Sequence, residues 1–517
     1  MTRIPGIRRS LPATLTPDRA LDRLAALPGR VLLETGGGDG RTLLSAAPRG
    51  ELKWDGEICW VRSGRSWRPL AKGTDPLDLL SVALLEWERG MGQARRDAPF
   101  AGAWIGYFGY ETAGLLERLP PPPPADAWDL PPLWFGAFDW VVIWEDGGPP
   151  VLHATQLPDM DGLTGSTTGG GGMTERLKPI LRLLEVGGPK RGRSLGGGGW
   201  RLDEEEPAES GTPDGMVVRP GEELESSLGK GGYMRGIERI REYIRAGDIF
   251  QANLTHRIQT RWTGSGVDLY RRLREASPAP YAGYLDTGEG EVASVSPEAF
   301  LSLEGRKVVT RPIKGTAPRG GSEAQDQELA RALEASMKDR AENVMIVDLL
   351  RNDLSRVCEP GSVQVPALCA LESHPTVHHL VSTVEGLLSP GVGPLDLLRA
   401  TLPGGSITGA PKIRAMEIIR ELEPVPRGVY TGALGVLEPG GRMNLSIAIR
   451  TATLRDGVAR FGVGGGITLA SDPQGEWQES LDKAQPFLSA LGIPKVPDDG
   501  TGLMEGTGGG RNGERGS

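Results

Sequence analysis

Residues 432–462 read GALGVLEPGGRMNLSIAIRTATLRDGVARFG, and this stretch decides the fold class. It contains three short apolar runs, Gly432–Val436, Ile447–Thr453 and Ala459–Gly462, separated by segments rich in Gly, Pro and Asp, which is typical of strands joined by turns. A helical pattern follows only afterwards, from about Glu476 to Leu491. Strands and helices that are mixed without regular βαβ alternation favour an α+β fold with antiparallel sheets over a doubly wound fold.

The sequence upstream of this stretch shows the same mixture. Ile249–Ile258 and Val377–Thr383 are predicted strands, because they are short and rich in β-branched residues. Ser322 opens a capping-box pattern and predicts a helix that runs through Asp339. A second helical pattern covers Glu342–Leu354.

Composition divides the chain into four regions. Residues 1–160 contain short aromatic and apolar runs between Gly and Pro residues, which predicts strands. Residues 161–232 are rich in Gly and acidic residues with one possible helix at Thr174–Val186, which indicates a flexible insertion or linker. Residues 233–492 carry the strongest periodicity and form the predicted main domain. Residues 493–517 are Gly-rich again and predict a disordered tail.

Charge and cysteine content exclude several classes of protein. The 517-residue chain carries 58 Lys and Arg against 67 Asp and Glu, a formal net charge of −9, without a long basic block, which argues against a nucleic-acid partner. No apolar stretch approaches the ~18 residues of a membrane-spanning helix, and residues 1–17 lack the apolar core of a secretory signal. Three cysteines without CxxC spacing are typical of a reducing compartment. We therefore expect a soluble cytoplasmic protein with no membrane contact.

Glu342 is a candidate functional carboxylate. On the predicted helix it shares a face with the apolar residues Met345, Ile346 and Leu349. An ionised carboxylate on an apolar face is costly unless it is paired or bound to a metal ion. Pairing with a nearby arginine and binding of a metal ion are both open from the sequence alone.

A second carboxylate cluster lies near the C-terminal end. Glu476, Glu479 and Lys483 project from one face of the predicted helix, and the glycine loop Gly464–Gly466 precedes it closely. A surface ion pair between Glu479 and Lys483 is the simple interpretation. Consecutive glycines can also bring backbone N–H groups to a carboxylate or phosphate, and carboxylates from two helices suit Mg²⁺. Lys314, between Pro312 and Gly315, is either a solvated lysine or a desolvated nucleophile or base.

Six motifs in order resemble the chorismate-utilising enzymes, the family that includes component I of anthranilate synthase and of aminodeoxychorismate synthase. The motifs are SPE (Ser296–Glu298), PIKGT (Pro312–Thr316), AEN…DL…RND (Ala341–Asp353), PGGSITGAPK (Pro403–Lys412), IAIRT (Ile447–Thr451) and SDP…E…E…KA (Ser471–Ala484). The resemblance is strong over about residues 233–492 and extends more weakly into residues 1–160 through Leu32–Glu34 and Gly106–Glu111. It implies large antiparallel sheets packed face to face and flanked by helices, with residues 233–492 as the chorismate-binding catalytic domain.

The resemblance also implies a set of site residues and a cofactor. Mg²⁺ is expected on Glu342, Glu476 and Glu479, where it holds the ring carboxylate of chorismate. Lys314, Glu298 and His379 match catalytic positions. Substrate contacts are implied for Gly315, Thr316, Tyr430, Arg450, Gly464, Gly465, Gly466 and Lys483. The family usually carries Gly-Ala-Gly in the loop where this chain has three glycines.

Lys314 marks a branch within the family. The sequence PIKGT resembles aminodeoxychorismate synthases, which convert chorismate and ammonia to 4-amino-4-deoxychorismate for 4-aminobenzoate and folate, whereas anthranilate synthases usually carry a small residue at this position. A lysine amine can add to the ring and later be expelled by ammonia. Two alternatives are anthranilate synthase component I, which serves tryptophan biosynthesis, and a catalytically inactive scaffold subunit. The complete set of matching site residues argues against the scaffold.

Two further expectations follow from the resemblance. None of the three cysteines lies in the nucleophile motif of a glutaminase, so the resemblance implies a separate glutamine amidotransferase subunit that delivers ammonia. Relatives bind tryptophan through a Leu-Leu-Glu-Ser motif and an Asn-Pro-x-Pro-Tyr motif, which here read LLET, ending at Thr35, and SPAPY, with Pro280 and Tyr281. A tryptophan pocket at Thr35, Pro280 and Tyr281 is therefore possible.

Overall fold

The structure is a computed structural model that describes residues 6–35, 40–64, 66–91, 100, 102–121, 129–145, 148–157, 173–186, 224–375, 377–493, 496 and 503–505. These residues form 25 strands and 11 α-helices. The strands are β1 (Gly6–Ser10), β2 (Val31–Glu34), β3 (Thr42–Ser45), β4 (Gly50–Trp54), β5 (Cys59–Arg62), β6 (Trp67–Pro69), β7 (Ala103–Phe108), β8 (Leu133–Phe138), β9 (Trp140–Trp144), β10 (Val151–Thr155), β11 (Leu224–Ser226), β12 (Gln251–Arg261), β13 (Tyr281–Asp286), β14 (Glu291–Ser296), β15 (Ala299–Glu304), β16 (Lys307–Arg311), β17 (Ile313–Pro318), β18 (Gln364–Ser373), β19 (Val377–Leu387), β20 (Gly409–Ala410), β21 (Ala433–Glu438), β22 (Arg442–Ile447), β23 (Thr451–Arg455), β24 (Val458–Ile467) and β25 (Leu503–Glu505). The helices are α1 (Pro17–Arg23), α2 (Pro76–Met91), α3 (Ala113–Leu116), α4 (Met173–Val186), α5 (Gly229–Ala246), α6 (Gly266–Ala276), α7 (Glu323–Ala335), α8 (Met337–Ser355), α9 (Pro394–Thr401), α10 (Lys412–Leu422) and α11 (Pro473–Leu491).

Two large sheets hold strands from both ends of the chain. Sheet A has the order β1-β10-β9-β3-β2-β13-β14-β23-β24-β12-β11-β25, with β20 beside β12, and sheet B has the order β17-β19-β16-β15-β22-β21-β7-β8-β4-β5-β6, with β18 beside β19. In sheet A, Leu33 of β2 lies opposite Gly283 of β13. In sheet B, Ile105 of β7 lies opposite Val436 of β21. Both pairs are antiparallel, so the N-terminal region and the main domain share each sheet.

The sheets face each other over one apolar layer. Val31 and Val292 of sheet A meet Ile105 and Val436 of sheet B in this layer. Helices α5, α6 and α11 cover the outer face of sheet A, and α10 packs on β12 and β20 of the same sheet. Helices α2, α8 and α9 pack in the second apolar cluster on the outer face of sheet B. The prediction of an α+β fold with antiparallel sheets packed face to face and flanked by helices is confirmed.

The helical region after Ser322 is divided. The Ser322 side chain accepts a hydrogen bond from the N–H of Gln325, as the capping pattern predicts. The helix ends at Ala335, however, and not at Asp339. Ser336 adopts an extended conformation and its hydroxyl accepts the N–H of Asp339, so it caps a new helix, α8, that carries Glu342.

Parts of the Gly-rich regions are ordered against the core. Within residues 161–232, α4 forms where a helix is predicted and buries Leu177 and Leu184, and β11 pairs with β12. In the tail, β25 runs parallel to β11. The flexibility predicted for these two regions therefore does not apply to α4, β11 or β25. The other residues of both regions lie almost entirely outside the described part of the chain, and the division into four regions stays a prediction.

A buried ion pair fixes the centre of the molecule. Arg427 is almost fully buried and its guanidinium binds Glu423 at 2.7 Å. The same group donates to the backbone oxygens of Asn253 at 2.6 Å and Ile407 at 2.9 Å and lies over the ring of Tyr110. The pair joins α10 to strand β12 and to the N-terminal region.

Among the described residues, no helix combines the length and the apolar character that crossing a bilayer requires.

Candidate active site

Lys314 lies at the centre of the predicted site. It sits in β17 of sheet B and approaches the glycine loop of β24 in sheet A, since a Cβ atom on Gly466 would lie 3.6 Å from its Nζ. Burial lowers the pKa of Lys314, and this effect opposes the attraction of the charges on Glu342 and Glu298. The lysine is therefore held in surroundings that favour the neutral, nucleophilic amine.

Glu298 is deeply buried, with 5% of its surface exposed. Burial raises the pKa of its carboxyl to about 7, although a hydrogen bond with Ser406 and the charge of Lys314 act in the opposite direction. Ser406 belongs to a 3-10 turn at Gly405–Ile407 that follows α9. A carboxyl group with a pKa near neutrality can donate and accept a proton at physiological pH.

His379 lies beside the loop that follows Lys314. Thr316 is its pairing partner between β17 and β19, and the Thr316 hydroxyl lies 2.9 Å from Nδ1 of the imidazole. Burial lowers the pKa of His379 to about 4, and the positive charge of Arg450 contributes in the same direction. The imidazole is therefore neutral at pH 7, and Arg450 is near enough to influence it.

Three carboxylates from α8 and α11 line the other side of the lysine. Glu342 Oε1 is buried and has no hydrogen-bond partner, and burial raises the pKa of its carboxyl against the charges of Lys314 and Lys338. Glu476 accepts a hydrogen bond from Ser471 at 2.6 Å and lies 3.7 Å from Lys338 Nζ. Pairing of Glu342 with Arg351 does not occur, because that arginine binds Asp348 at 3.3 Å.

The arrangement of the carboxylates bears on whether they could bind the expected Mg²⁺. No three His, Cys, Asp or Glu residues in the described part of the chain converge into a metal cage. Mg²⁺ does not require one, because it typically takes one or two protein carboxylates and completes its octahedron with water and substrate oxygens. The unpaired Oε1 of Glu342 and the carboxylate of Glu476 fit a cation-binding position. Lys338 lies 3.7 Å from Glu476 and partly neutralises this negative charge, so it would compete with a bound cation.

The glycine loop and Lys483 close the site on the side of sheet A. Lys483 Nζ donates to the carbonyl of Gly464 at 2.9 Å and pairs with Glu479 at 2.8 Å, so the predicted ion pair forms within the site. Burial opposes ionisation of Glu479 and is the largest single effect, but the charge and hydrogen bond of Lys483, together with the charges of Lys338 and Lys314, lower the pKa of the carboxyl overall. A Cβ atom at Gly465 would lie 3.2 Å from Glu476 Oε2. The loop thus borders both the carboxylates and, at Gly466, the lysine.

The backbone conformation and the close packing at position 315 both favour glycine. Its φ angle is +90°, and a Cβ atom there would lie 2.9 Å from Cβ of Asp339. A side chain would therefore be strained and would also push against α8. The register of β17 with β19 is irregular between Ile313 and Thr316, the segment that contains Gly315.

Arg450 and Tyr430, two further predicted substrate contacts, are held in place by different neighbours. Arg450 has the positive φ of +49° and its Nη1 donates to Ser277 at 3.1 Å. Burial lowers the pKa of Arg450, and its guanidinium influences His379. Tyr430 packs its ring directly over Gly462, two residues before the glycine loop, and burial raises the pKa of its hydroxyl. Their contacts with chorismate stay predictions.

The residues of the predicted tryptophan pocket come together at one end of sheet A. Thr35 directly follows β2, and Pro280 and Tyr281 stand where β13 begins. The antiparallel register of β2 and β13 therefore brings Thr35 and Tyr281 to neighbouring positions. The Thr35 hydroxyl donates to the carbonyl of Arg41 at 3.2 Å. Tryptophan binding itself stays a prediction.

Comparison with known families identifies the fold and the chemistry class. The family described as chorismate binding enzyme matches residues 71–489. The chain belongs to the chorismate binding enzyme family. Two solved structures share the architecture of this chain. Anthranilate synthase component I from Streptococcus pneumoniae has a TM-score of 0.69 and 30% identity, with 87% of this chain and 92% of that chain covered. The menaquinone-specific isochorismate synthase of Escherichia coli has a TM-score of 0.68 and 17% identity, covering 94% of each chain, which shows the fold alone.

Relatives within the chorismate binding enzyme family carry two different names. Aminodeoxychorismate synthase component 1 from Salmonella typhimurium is 38% identical over 417 residues, 81% of this chain and 82% of that protein. Anthranilate synthase component 1 from Streptomyces coelicolor is 40% identical over 424 residues, 81% of this chain and 78% of that protein. The chain is thus a chorismate-utilising enzyme, and overall identity does not separate the two activities.

Sequence reasoning missed four residues that complete the site. Ser406 bonds Glu298, Ser471 bonds Glu476 and Lys338 lies beside Glu476. Gln251, at the start of β12, places its amide next to Gly466. Ser406 and Ser471 stand inside quoted motifs and could have been named as partners. Gln251 and Lys338 stand outside every motif, so no sequence signal indicated them.

Proposed function

We propose that this chain is component I of an aminodeoxychorismate synthase, which converts chorismate and ammonia to 4-amino-4-deoxychorismate for 4-aminobenzoate and folate synthesis. The observation that carries the proposal is the position of Lys314, a partly buried amine with a lowered pKa between the glycine loop and two carboxylates. Relatives named aminodeoxychorismate synthase component 1 support it.

Lys314 supplies a nucleophile in this reaction. Its neutral amine forms a bond to C2 of chorismate, the two ring double bonds each move one position, and the C4–O bond breaks. Ammonia then forms a bond to C4, the double bonds return, and the C2–N bond to Lys314 breaks. The net change is replacement of the C4 hydroxyl by an amino group with release of water.

Glu298 is suited to act as the general acid that protonates the leaving hydroxyl. Its pKa of about 7 keeps a substantial fraction protonated at neutral pH, and the carboxyl influences Lys314 directly. The proton can pass to the departing C4 oxygen, which leaves as water, and the carboxylate can accept a proton when ammonia adds. His379 is neutral and bound to Thr316, so it can orient a polar group of the substrate without adding charge.

Mg²⁺ is part of the proposal. Glu342, Glu476 and Glu479 would hold it, and the bound ion would neutralise and orient the ring carboxylate of the substrate. The orphaned Oε1 of Glu342 supports this assignment, because a buried carboxylate oxygen without a partner is costly in the absence of a cation. The glycine loop, Lys483 and Arg450 would bind the remaining carboxylate oxygens.

Ammonia is proposed to come from a glutamine amidotransferase subunit. Relatives are named as component 1, which implies a second component in those proteins. A cytoplasmic location fits the cysteine content, since Cys59, Cys358 and Cys369 are all buried and free.

Anthranilate synthase is the second candidate, because relatives with that name are equally similar. Purified enzyme, chorismate, Mg²⁺ and ammonium chloride distinguish the two. Product that becomes 4-aminobenzoate only after addition of aminodeoxychorismate lyase supports the proposal. Direct release of fluorescent anthranilate would favour anthranilate synthase, and absence of any chorismate turnover would favour the inactive scaffold.

The role of Lys314 is tested by intact-mass measurement. Wild-type enzyme incubated with chorismate and Mg²⁺ without ammonia should form an adduct that maps to the peptide containing Lys314. Lys314→Ala should form no adduct and no aminodeoxychorismate, while chorismate still binds. Lys307→Ala is the matched control and should behave as wild type, because Lys307 has an exposed side chain on β16, which β19 separates from β17 in sheet B. Near wild-type synthesis by Lys314→Ala would sink the covalent mechanism.

A further inference from the structure

Gln251 carries an unexplained buried oxygen. It is the first residue of β12 and only 1% of its surface is exposed. Its side-chain Oε1 is buried and has no hydrogen-bond partner. An unpaired buried carbonyl oxygen costs about 1–3 kcal/mol, so such groups are rare in native proteins and call for a reason.

The amide of Gln251 and the amine of Lys314 border the same small space. A Cβ atom on Gly466 would lie 2.1 Å from Nε2 of Gln251 and 3.6 Å from Nζ of Lys314. Glycine at 466 leaves this space open. The two groups come from opposite sheets, with Gln251 on β12 of sheet A and Lys314 on β17 of sheet B.

We propose that Gln251 is a positioning residue for the nucleophile. Its Nε2 faces the space at Gly466, and a rotation of the amide brings the unpaired Oε1 to this side, where it accepts a hydrogen bond from Nζ of Lys314 in the substrate complex and directs the nitrogen lone pair toward the substrate ring. This role rests on the proposed function. A free amine has three substituents besides its lone pair, so a single fixed acceptor for one N–H restricts how the lone pair points. Glu298, Glu342 and Glu479 attract the same amine but favour its charged form.

The neutrality of Gln251 is the chemical reason for a glutamine here. A carboxylate at this position would add a further negative charge beside the amine and hold it as an ammonium ion. An apolar residue would leave the amine without an acceptor on this side. An amide oxygen orients the amine and adds no net charge.

Gln251→Met tests the role, because methionine is similar in length and shape and lacks the acceptor. We expect kcat to fall by about 10–100-fold with the KM for chorismate changed less than about twofold, the pattern of a lost transition-state contact. The rate of Lys314 adduct formation without ammonia should fall by a similar factor. Gln251→Asn, which retains the amide but withdraws it by one methylene, should give an intermediate kcat.

Gln259→Met is the matched control. Gln259 lies on the same strand, and its amide donates to Glu225 at 2.8 Å, at the other end of β12 from the site. It should leave kcat and adduct formation unchanged. The unfolding temperature of Gln251→Met should not fall, because the substitution removes an unpaired buried oxygen.

The outcomes distinguish a failure of the proposed function from a failure of the proposed role of Gln251. A wild-type enzyme that makes no aminodeoxychorismate overturns the proposed function, whatever the variants do. A wild-type enzyme that makes it, together with wild-type kcat and adduct formation in Gln251→Met, overturns the role of Gln251 alone. A raised KM with unchanged kcat also overturns it, because that pattern indicates uniform substrate binding instead of positioning of the amine.

Discussion

Two buried groups of charged residues lie in this molecule, and they are built in opposite ways. Around Arg427 the charges are matched. The guanidinium binds Glu423, Asn253 and Ile407, and the carboxylate of Glu423 also accepts the N–H and hydroxyl of Thr255. Around Lys314 the charges are left incomplete. Glu342 and Gln251 each keep a buried oxygen without a hydrogen-bond partner. Burial lowers the pKa of Lys314 and raises the pKa of Glu298, and both shifts favour the neutral form of the side chain.

The difference distinguishes structural from functional burial of charge. A fully bonded ion pair holds its neighbours in place but has no capacity left for a ligand. An incomplete group is costly in the free protein and gains its partners when substrate and cation arrive. The contrast predicts that substitutions in the Arg427 group lower the free energy of unfolding, whereas substitutions in the Lys314 group lower the rate of chorismate turnover.

Removing Arg427 should give the largest loss of stability. In Arg427→Met, Glu423 becomes a buried charge without an opposite charge beside it, and the free energy of unfolding should fall by about 3–5 kcal/mol. Denaturant titration measures this loss. The double variant Arg427→Met/Glu423→Gln should recover part of it, since the unpaired charge is gone. A loss below ~1 kcal/mol in the single variant would contradict the structural role, because it would match an exposed pair.

Removing the charge of Glu342 should have the opposite effect, with a loss of turnover and no loss of stability. In Glu342→Gln, chorismate turnover at limiting Mg²⁺ should fall by about 100-fold or more, because a hard anionic ligand is lost with almost no change in volume. The free energy of unfolding should stay equal or rise, since no partner is left unpaired. Asp348→Asn is the control on the same helix, where the exposed aspartate binds Arg351. Full activity of Glu342→Gln at limiting Mg²⁺ would remove the metal assignment.

Glu298 should make stability depend on pH. Its pKa is raised from 4.5 to about 7 in the folded protein, so its stabilising contribution is complete below about pH 4.5 and is lost as pH rises through about 7. Glu298→Gln should therefore unfold with about 2 kcal/mol more free energy than wild type at pH 9 and with little difference at pH 5. Denaturant titrations at both pH values measure this. Equal differences at the two pH values would show that the carboxyl is not shifted.

Gly465 should be the most tolerant position of the glycine loop. The Cβ atom of Gly465→Ala would lie 3.2 Å from Glu476 Oε2 and 3.6 Å from Lys483 Nζ, both at the ends of side chains that can shift. We expect turnover within about threefold of wild type and a stability change below ~1 kcal/mol. Gly464→Ala is the contrast, since its Cβ atom would lie 2.1 Å from the carbonyl oxygen of Leu254. Equal damage in both variants would contradict the difference between the two positions.

Sequence patterns located much of the site but not its internal contacts. The motifs with Lys314, Glu298 and the glycine loop contain the residues that meet in space, and the mixed strand pattern predicted antiparallel sheets. The pairing of β2 with β13 could not be predicted, because periodicity reports which face of a strand is buried and not which distant strand lies beside it. The contact of Gln251 with the site depends on a different long-range pairing, that of β12 with β24.

Local signals also had limits at element boundaries. The helix break at Ser336 carries a capping serine, but the pattern on both sides is helical, and a serine inside such a pattern is usually tolerated. Helix α4 was expected from its apolar residues, whereas its packing on the core depends on partners far along the chain. The Gly-rich composition around it indicated flexibility for the whole segment, although α4 itself buries Leu177 and Leu184.

The shared sheets determine how this protein can be made. Strand β2 needs β13, and β7 needs β21, so these earlier strands wait for partners that are synthesised much later. At about 5–20 residues per second, a separation of about 300 residues corresponds to tens of seconds with unpaired strand edges. During that interval the nascent chain exposes apolar strands that other molecules can capture. Chaperone supply and translation speed in the expression host should therefore govern the yield of active enzyme, and two separately produced halves would each lack the strands that complete their sheets.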